Sequence, residues 1–289
     1  MKISFLRNLL FVLLGLATLQ SATAQDSSLL WKVGGNDLEK ESYLFGTIHV
    51  ICKEDFKMDD RILAAFDRSE SLVMEMDLDD PDLMGKIQKA SMNPGMKNIQ
   101  SELEAEDAAV LDAFFVKHYG AGLAQLGVFK PFMLSSMALM KTIPCEEHGS
   151  YETFFSAKAA ESKKQIIGLE TPEFQIGIFD QIPLEIQMEE LAKMIKEGTG
   201  SEDFEKLTRV YLEEDIDGLF QMMNDEGMMR DYRELILDDR NEDWLGKLIE
   251  SMNSQSLFVA VGAGHLGGKN GLISLLRQAG YQVEPIVKE

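Results

Sequence analysis

The sequence predicts a mixed α/β fold: a single domain whose central mixed β-sheet takes strands from both ends of the chain, with a large helical insertion between them. Three observations predict it. Strand-like apolar segments stand at 29–33 and 42–48, and a strand, glycine-rich loop, helix and strand close the chain in "SLFVAVGAGHLGGKNGLISLLRQAGYQVEPIV". Between them, most of the chain has helical periodicity. A chain of 289 residues, 45% of them hydrophobic, is long enough to bury one substantial core, and no linker rich in Pro, Ser or Gly divides it.

The first residues carry a different pattern. Lys2 and Arg7 precede the apolar run "NLLFVLLGLATL", and "SATAQ" follows, with Ala22-Thr23-Ala24 as an A-x-A cleavage site. This predicts a signal peptide over 1–24, cut after Ala24; the run is shorter than the roughly 20 residues a bilayer span needs. The remaining domain, 25–289, has no other stretch apolar enough to span a membrane, so an exported, periplasmic or secreted protein is expected. The net charge of -21 would repel phosphate backbones and excludes nucleic acid as a partner. A peptide or small-molecule substrate remains.

Along the chain, "LLWKV" and "SYLFGTI" read as strands joined by the turn "GGND". An amphipathic helix is expected over 59–69 and a short apolar strand over 71–77. From there to about 164 the pattern is helical. "QIIGLETPEFQ" then supplies a strand to about Leu169 and a helix beginning near Thr171, where Thr as N-cap and Pro as first residue are start signals. Helices return from Leu184 to about Met252. The 17 methionines fit core packing and gap filling better than a cofactor.

Both cysteines, Cys52 and Cys145, lie in the exported part, which predicts one disulfide. Zinc ligation by Cys52, Cys145 and His148 is the alternative, and "CEEH" is a weak motif for it.

Two segments echo each other: "SYLFGTIHV" and "SLFVAVGAGHLGG" each end a strand in Gly-x-x-His, Gly46 to His49 and Gly262 to His265. Loops at strand ends build binding sites in α/β folds; Gly permits a sharp turn there, and imidazole is a common ligand for zinc, manganese or iron. Two incidental turns would give the same pattern. His118, near a helix C-terminus, and His148, in a polar loop, read as structural or solvated. Two carboxylates complement the histidines. Glu75 interrupts the apolar strand "SLVMEMD", where a buried carboxylate needs a partner, and Glu170 ends the strand "IIGLE".

"YLFGTIHV", Glu75 in its short strand, "GLET" with Gln175 after it, "DRNEDW" at 239–244 and "FVAVGAGHLGGKNGL" occur in an order that resembles the TraB/GumN family. That family is related to the Tiki metalloproteases and, more distantly, to the erythromycin-esterase and ChaN-like superfamily. The resemblance implies a divalent-metal site built from His49, His265 and Glu75, with Glu170 as a second acidic position and Arg240 and Asn241 as site support. The manganese, cobalt or zinc ion it implies would lower the pKa of a bound water, and the second carboxylate would take the proton. Which of Glu75 and Glu170 is ligand and which is base stays open. The alternative is a non-catalytic exported binding protein for a peptide, haem or metal on the same scaffold. A third reading is anion binding on the loop "GAGHLGGKNG".

Overall fold

A computed structural model describes residues 27–225 and 227–288; the expected signal segment 1–24 and its cleavage site lie outside the described residues. The strands are β1 (Leu30–Gly34), β2 (Ser42–Thr47), β3 (Ile51–Cys52), β4 (Ser71–Met76), β5 (His148–Gly149), β6 (Gln165–Glu170), β7 (Leu257–Gly262) and β8 (Gln282–Pro285). Six of them form one mixed sheet in the order β6-β4-β7-β2-β1-β8. β6, β4, β7 and β2 run parallel, and β1 is antiparallel to both β2 and β8. The sheet therefore takes β4 and β6 from the middle of the chain as well as strands from its ends, and the helical insertion is divided into two runs by β6.

Local chemistry explains the elements. The turn between β1 and β2 places Gly35, Asn36 and Asp37 at φ of 74°, 50° and 63°, a left-handed run that only such residues adopt readily. β2 is buried at every position, as expected of a parallel strand covered on both faces. Phe66 of the helix Asp60–Arg68 and Phe155 of the helix Tyr151–Ser162 pack on Phe258 of β7, with ring centroids 5.5 and 4.7 Å away. Burying each such ring stabilises the fold by about 1.5–3 kcal/mol.

Side-chain caps start three of the helices. Asp59 accepts from the N–H groups of Arg61 and Ile62, Ser150 from Thr153, and Thr171 from Phe174 with Pro172 in the first turn. The caps Ser150 and Thr171 place Glu152 and Gln175 in the first turns of their helices.

Two short strands fell within stretches without a strand signal, because two residues carry no period. β3 and β5 pair antiparallel with Cys52 opposite His148, and Cys52 is disulfide-bonded to Cys145. The thiols hold each other, so zinc ligation by Cys52, Cys145 and His148 falls away. Among the described residues no helix is long and apolar enough to cross a membrane. Because the four parallel strands share a direction, Thr47, Glu75, Glu170 and Gly262 all arrive at the same edge of the sheet.

Candidate active site

At that edge Glu75 is 7% exposed and fully engaged. Its Oε1 accepts from the Gly262 N–H at 2.9 Å, and its Oε2 accepts from Gln175 Nε2 at 2.6 Å and Arg240 Nη2 at 2.8 Å. Arg240 comes from the helix Asp239–Met252, whose Arg240, Asn241, Trp244 and Leu248 make one buried face. A π-helical turn, Glu234–Asp238, leads into it, an irregularity that recurs at functional sites.

Arg240 places every N–H it has. Nε and Nη2 donate to the two oxygens of Glu170 at 2.8 and 2.7 Å, and Nη2 also donates to Glu75. Nη1 donates to the Ile236 carbonyl at 3.0 Å and lies 3.1 Å from His265 Nε2. Trp244 Nε1 adds a further bond to Glu170 at 3.0 Å, and the guanidinium stacks over the Trp244 ring. Glu170, with a side chain 2% exposed, is thereby held between an arginine and an indole.

The network fixes the His265 tautomer. Asn241 Nδ2 donates to the Asn270 carbonyl at 2.9 Å, which turns its Oδ1 toward His265 Nδ1 at 2.8 Å. Nδ1 is therefore the protonated nitrogen, and the Nε2 lone pair accepts from Arg240. Burial, with the Arg240 charge behind it, outweighs Glu75 and pushes His265 down to about 3, so the ring is neutral. Burial alone would raise Glu75, but the neighbouring imidazoles, Arg240 and the Gly262 N–H hold it well below the usual carboxylate range.

His49 is different in kind. Its side chain is 67% exposed, and Nδ1 lies 2.9 Å from Glu152 Oε1. Partial desolvation by the surrounding protein would lower it, but the Glu152 hydrogen bond and the charge of Glu75 raise it to about 9. Its Cε1 and Nε2 both lie 3.6 Å from where a Cβ on Gly262 would stand, and Glu75 Oε1 lies 3.2 Å from that point. The exchange is mutual, for a Cβ on Gly46 would meet Leu266 Cδ1 at 3.0 Å and the Ala263 Cα at 3.1 Å. Each glycine of a Gly-x-x-His element makes room for the other element.

As donors, two imidazoles and a carboxylate suit a divalent ion. His49 Nε2 and Glu75 Oε1, converging over Gly262, fit that role. His265 does not in this arrangement, because its Nε2 is committed to Arg240 although it is 3.8 Å from Glu75 Oε1. Among the described residues no three His, Cys, Asp or Glu side chains gather to hold an ion. The glycine-rich loop 262–271 is closely packed. Its glycines face inward, where a Cβ would meet Met223 Sδ at 2.5 Å from Gly264, Phe220 Cζ at 2.3 Å from Gly268 and the Gly267 carbonyl at 2.1 Å from Gly271.

His118 sits in the last turn of the helix Ala105–Tyr119 with its ring 4.4 Å from Phe114, and His148 is exposed in β5. Sequence reasoning missed Glu152 and Trp244. Trp244 had a signal, its place in "DRNEDW" four residues after Arg240; Glu152 had only a capping serine two positions before it.

Residues 29–285 match the sequence model of the TraB/PrgY/gumN family, and the chain belongs to that family. Among curated proteins it is similar to the metalloprotease TIKI2 of Danio rerio, 25% identical over 316 aligned residues that cover 89% of this chain and 61% of the relative. The chain thus spans about three fifths of that protein's length. No solved structure matches.

Proposed function

We propose that the protein is an exported, divalent-metal-dependent hydrolase of peptide bonds, working at the strand edge where His49 and Glu75 converge over Gly262. That convergence is the observation that carries the reading. Family membership and a relative named as a metalloprotease support the reaction class, and a disulfide fits export.

A manganese, cobalt or zinc ion at His49 Nε2 and Glu75 would polarise a peptide carbonyl and supply hydroxide near neutral pH. The chain's own residues do the rest. Arg240 and Gln175 pin Glu75 Oε2, leaving Oε1 on the side of Gly262 and His49. Of the two carboxylates, Glu75 is the one placed to serve as ligand or base. We assign Glu170 to anchoring Arg240 rather than to proton transfer, because its oxygens are held by Arg240 and Trp244, whereas Glu75 Oε1 lies beside His49. His265, oriented by Asn241, meets the guanidinium from its other side. At neutral pH His49 carries a proton that the ion must displace, so metal affinity should rise with pH.

A quenched peptide library tests the reading, with the protein stripped by chelator and reloaded with each metal. Turnover should return with at least one ion and fall at least about 100-fold in His49→Ala and Glu75→Gln. Metal uptake without turnover of any peptide would instead favour the second reading, an exported binding protein. The observation on its side is that Arg240 already holds the lone pair of His265.

A further inference from the structure

We propose that Glu152 is the positioning residue of His49, the carboxylate that fixes which ring nitrogen faces the site. This rests on His49 being the site's exposed ligand and adds the residue that orients it. An exposed histidine at a strand end has two free side-chain torsions, and nothing in its own loop chooses between its nitrogens. Glu152 makes that choice.

The carboxylate is built in from two directions. Its Oε1 accepts from Thr47 Oγ1 at 2.6 Å and stands 2.9 Å from His49 Nδ1, while Oε2 accepts from Ser150 Oγ at 2.9 Å. Thr47 is the last residue of β2 and 2% exposed, so it is a fixed post. Ser150 is the cap of the helix Tyr151–Ser162, accepting from the Thr153 N–H, so the other oxygen is held by the helix start itself. A carboxylate has only acceptor oxygens, so the hydrogen between it and His49 belongs to Nδ1. Nε2 is then left toward Gly262 and Glu75. This is the pattern by which an outer carboxylate fixes the orientation of a metal-binding histidine.

The surrounding chain keeps the two partners in register. Cys52 lies three residues after His49, its disulfide to Cys145 and the pairing of Cys52 with His148 join the two loops, and Glu152 follows four residues later. Glu152 does not serve as a simple first-turn acid. Its side chain is directed at three other side chains, and the cap of its helix is already supplied by Ser150.

The test needs neither substrate nor turnover. Nitrogen-15 NMR of imidazole-labelled protein, taken above the pH at which the ring loses its charge, reads which nitrogen of His49 keeps the hydrogen. The wild type should carry it on Nδ1; a hydrogen on Nε2 overturns the proposal without any variant. In Glu152→Ala the ring should move toward the Nε2–H form, and manganese or zinc affinity, read by competition with a fluorescent chelator, should fall about 10–100-fold. Glu152→Gln, whose amide oxygen still accepts from Nδ1, should keep the tautomer and lose less affinity. An unchanged tautomer in Glu152→Ala would sink the idea. If no variant binds metal, wild type included, the hydrolase reading fails while the tautomer still decides the role of Glu152.

Discussion

Arg240 is the residue on which the site's charge balance turns. It is 6% exposed between two carboxylates, so replacing it by Met leaves two buried anions without a counter-charge. We expect Arg240→Met to cost about 3–5 kcal/mol in urea unfolding, and Arg240→Lys to recover little because an ammonium cannot reproduce the fork on Glu170. Full stability in Arg240→Met would show that the carboxylates find other partners. His265 makes acid stability a second test. The unfolded chain binds a proton near the ordinary 6.5, but the native ring, pushed down to about 3, refuses it. Stability should therefore be complete above pH 6.5 and fall as pH drops from 6.5 toward 3, by an amount on the order of a few kcal/mol. His49 has the opposite sign, contributing below 6.5 and losing its contribution as pH rises through about 9. Water around a ring 67% exposed screens that effect, so the acid limb should dominate a calorimetric pH series.

The two glycines that open their histidine motifs ask for different outcomes at the level of strand and loop. A methyl group on Gly46 drives into Leu266 and the Ala263 backbone at 3.0–3.1 Å, so Gly46→Ala should destabilise the fold by about 1–3 kcal/mol. On Gly262 the same methyl meets Glu75 Oε1 at 3.2 Å and His49 at 3.6 Å, so Gly262→Ala should leave the melting temperature nearly intact and weaken metal uptake. Equal melting temperatures for the two variants would contradict this division. At this level the sequence was informative wherever an element carried a period or a cap. β2, β4 and β7 read as strands from their apolar runs, and Thr171-Pro172 marked its helix start. β3 and β5 were not legible, since two residues hold no pattern and their pairing joins loops 96 positions apart by the register of Cys52 with His148. Glu152 was hidden for the same reason: its partner Thr47 is 105 positions away, and only the folded chain brings them together.

For the molecule as a whole, the strand–loop–helix–strand unit at the C-terminus and the strands near the N-terminus made a mixed sheet foreseeable. The order β6-β4-β7-β2-β1-β8 did not follow from them, because neighbour choice is settled by packing across the sheet. That His49, His265 and Glu75 would lie near one another was foreseeable, since each stands at or just past a strand end. Arg240 was expected as site support only through the family resemblance, since "DRNEDW" by itself reads equally as a solvated helix face until its buried side is known. The bridge from Cys52 to Cys145 closes a loop over 93 positions, and its loss should cost about 2–5 kcal/mol, read from melting with and without reductant. That loop also governs what a protease would leave behind. β4, and Glu75 with it, lies inside the closed stretch, whereas His49 precedes it and Glu152 follows it. One cut between Cys52 and Cys145 would yield two polypeptides still tied by sulfur. Such a nicked molecule should migrate as a single band on an unreduced gel and as two after reduction.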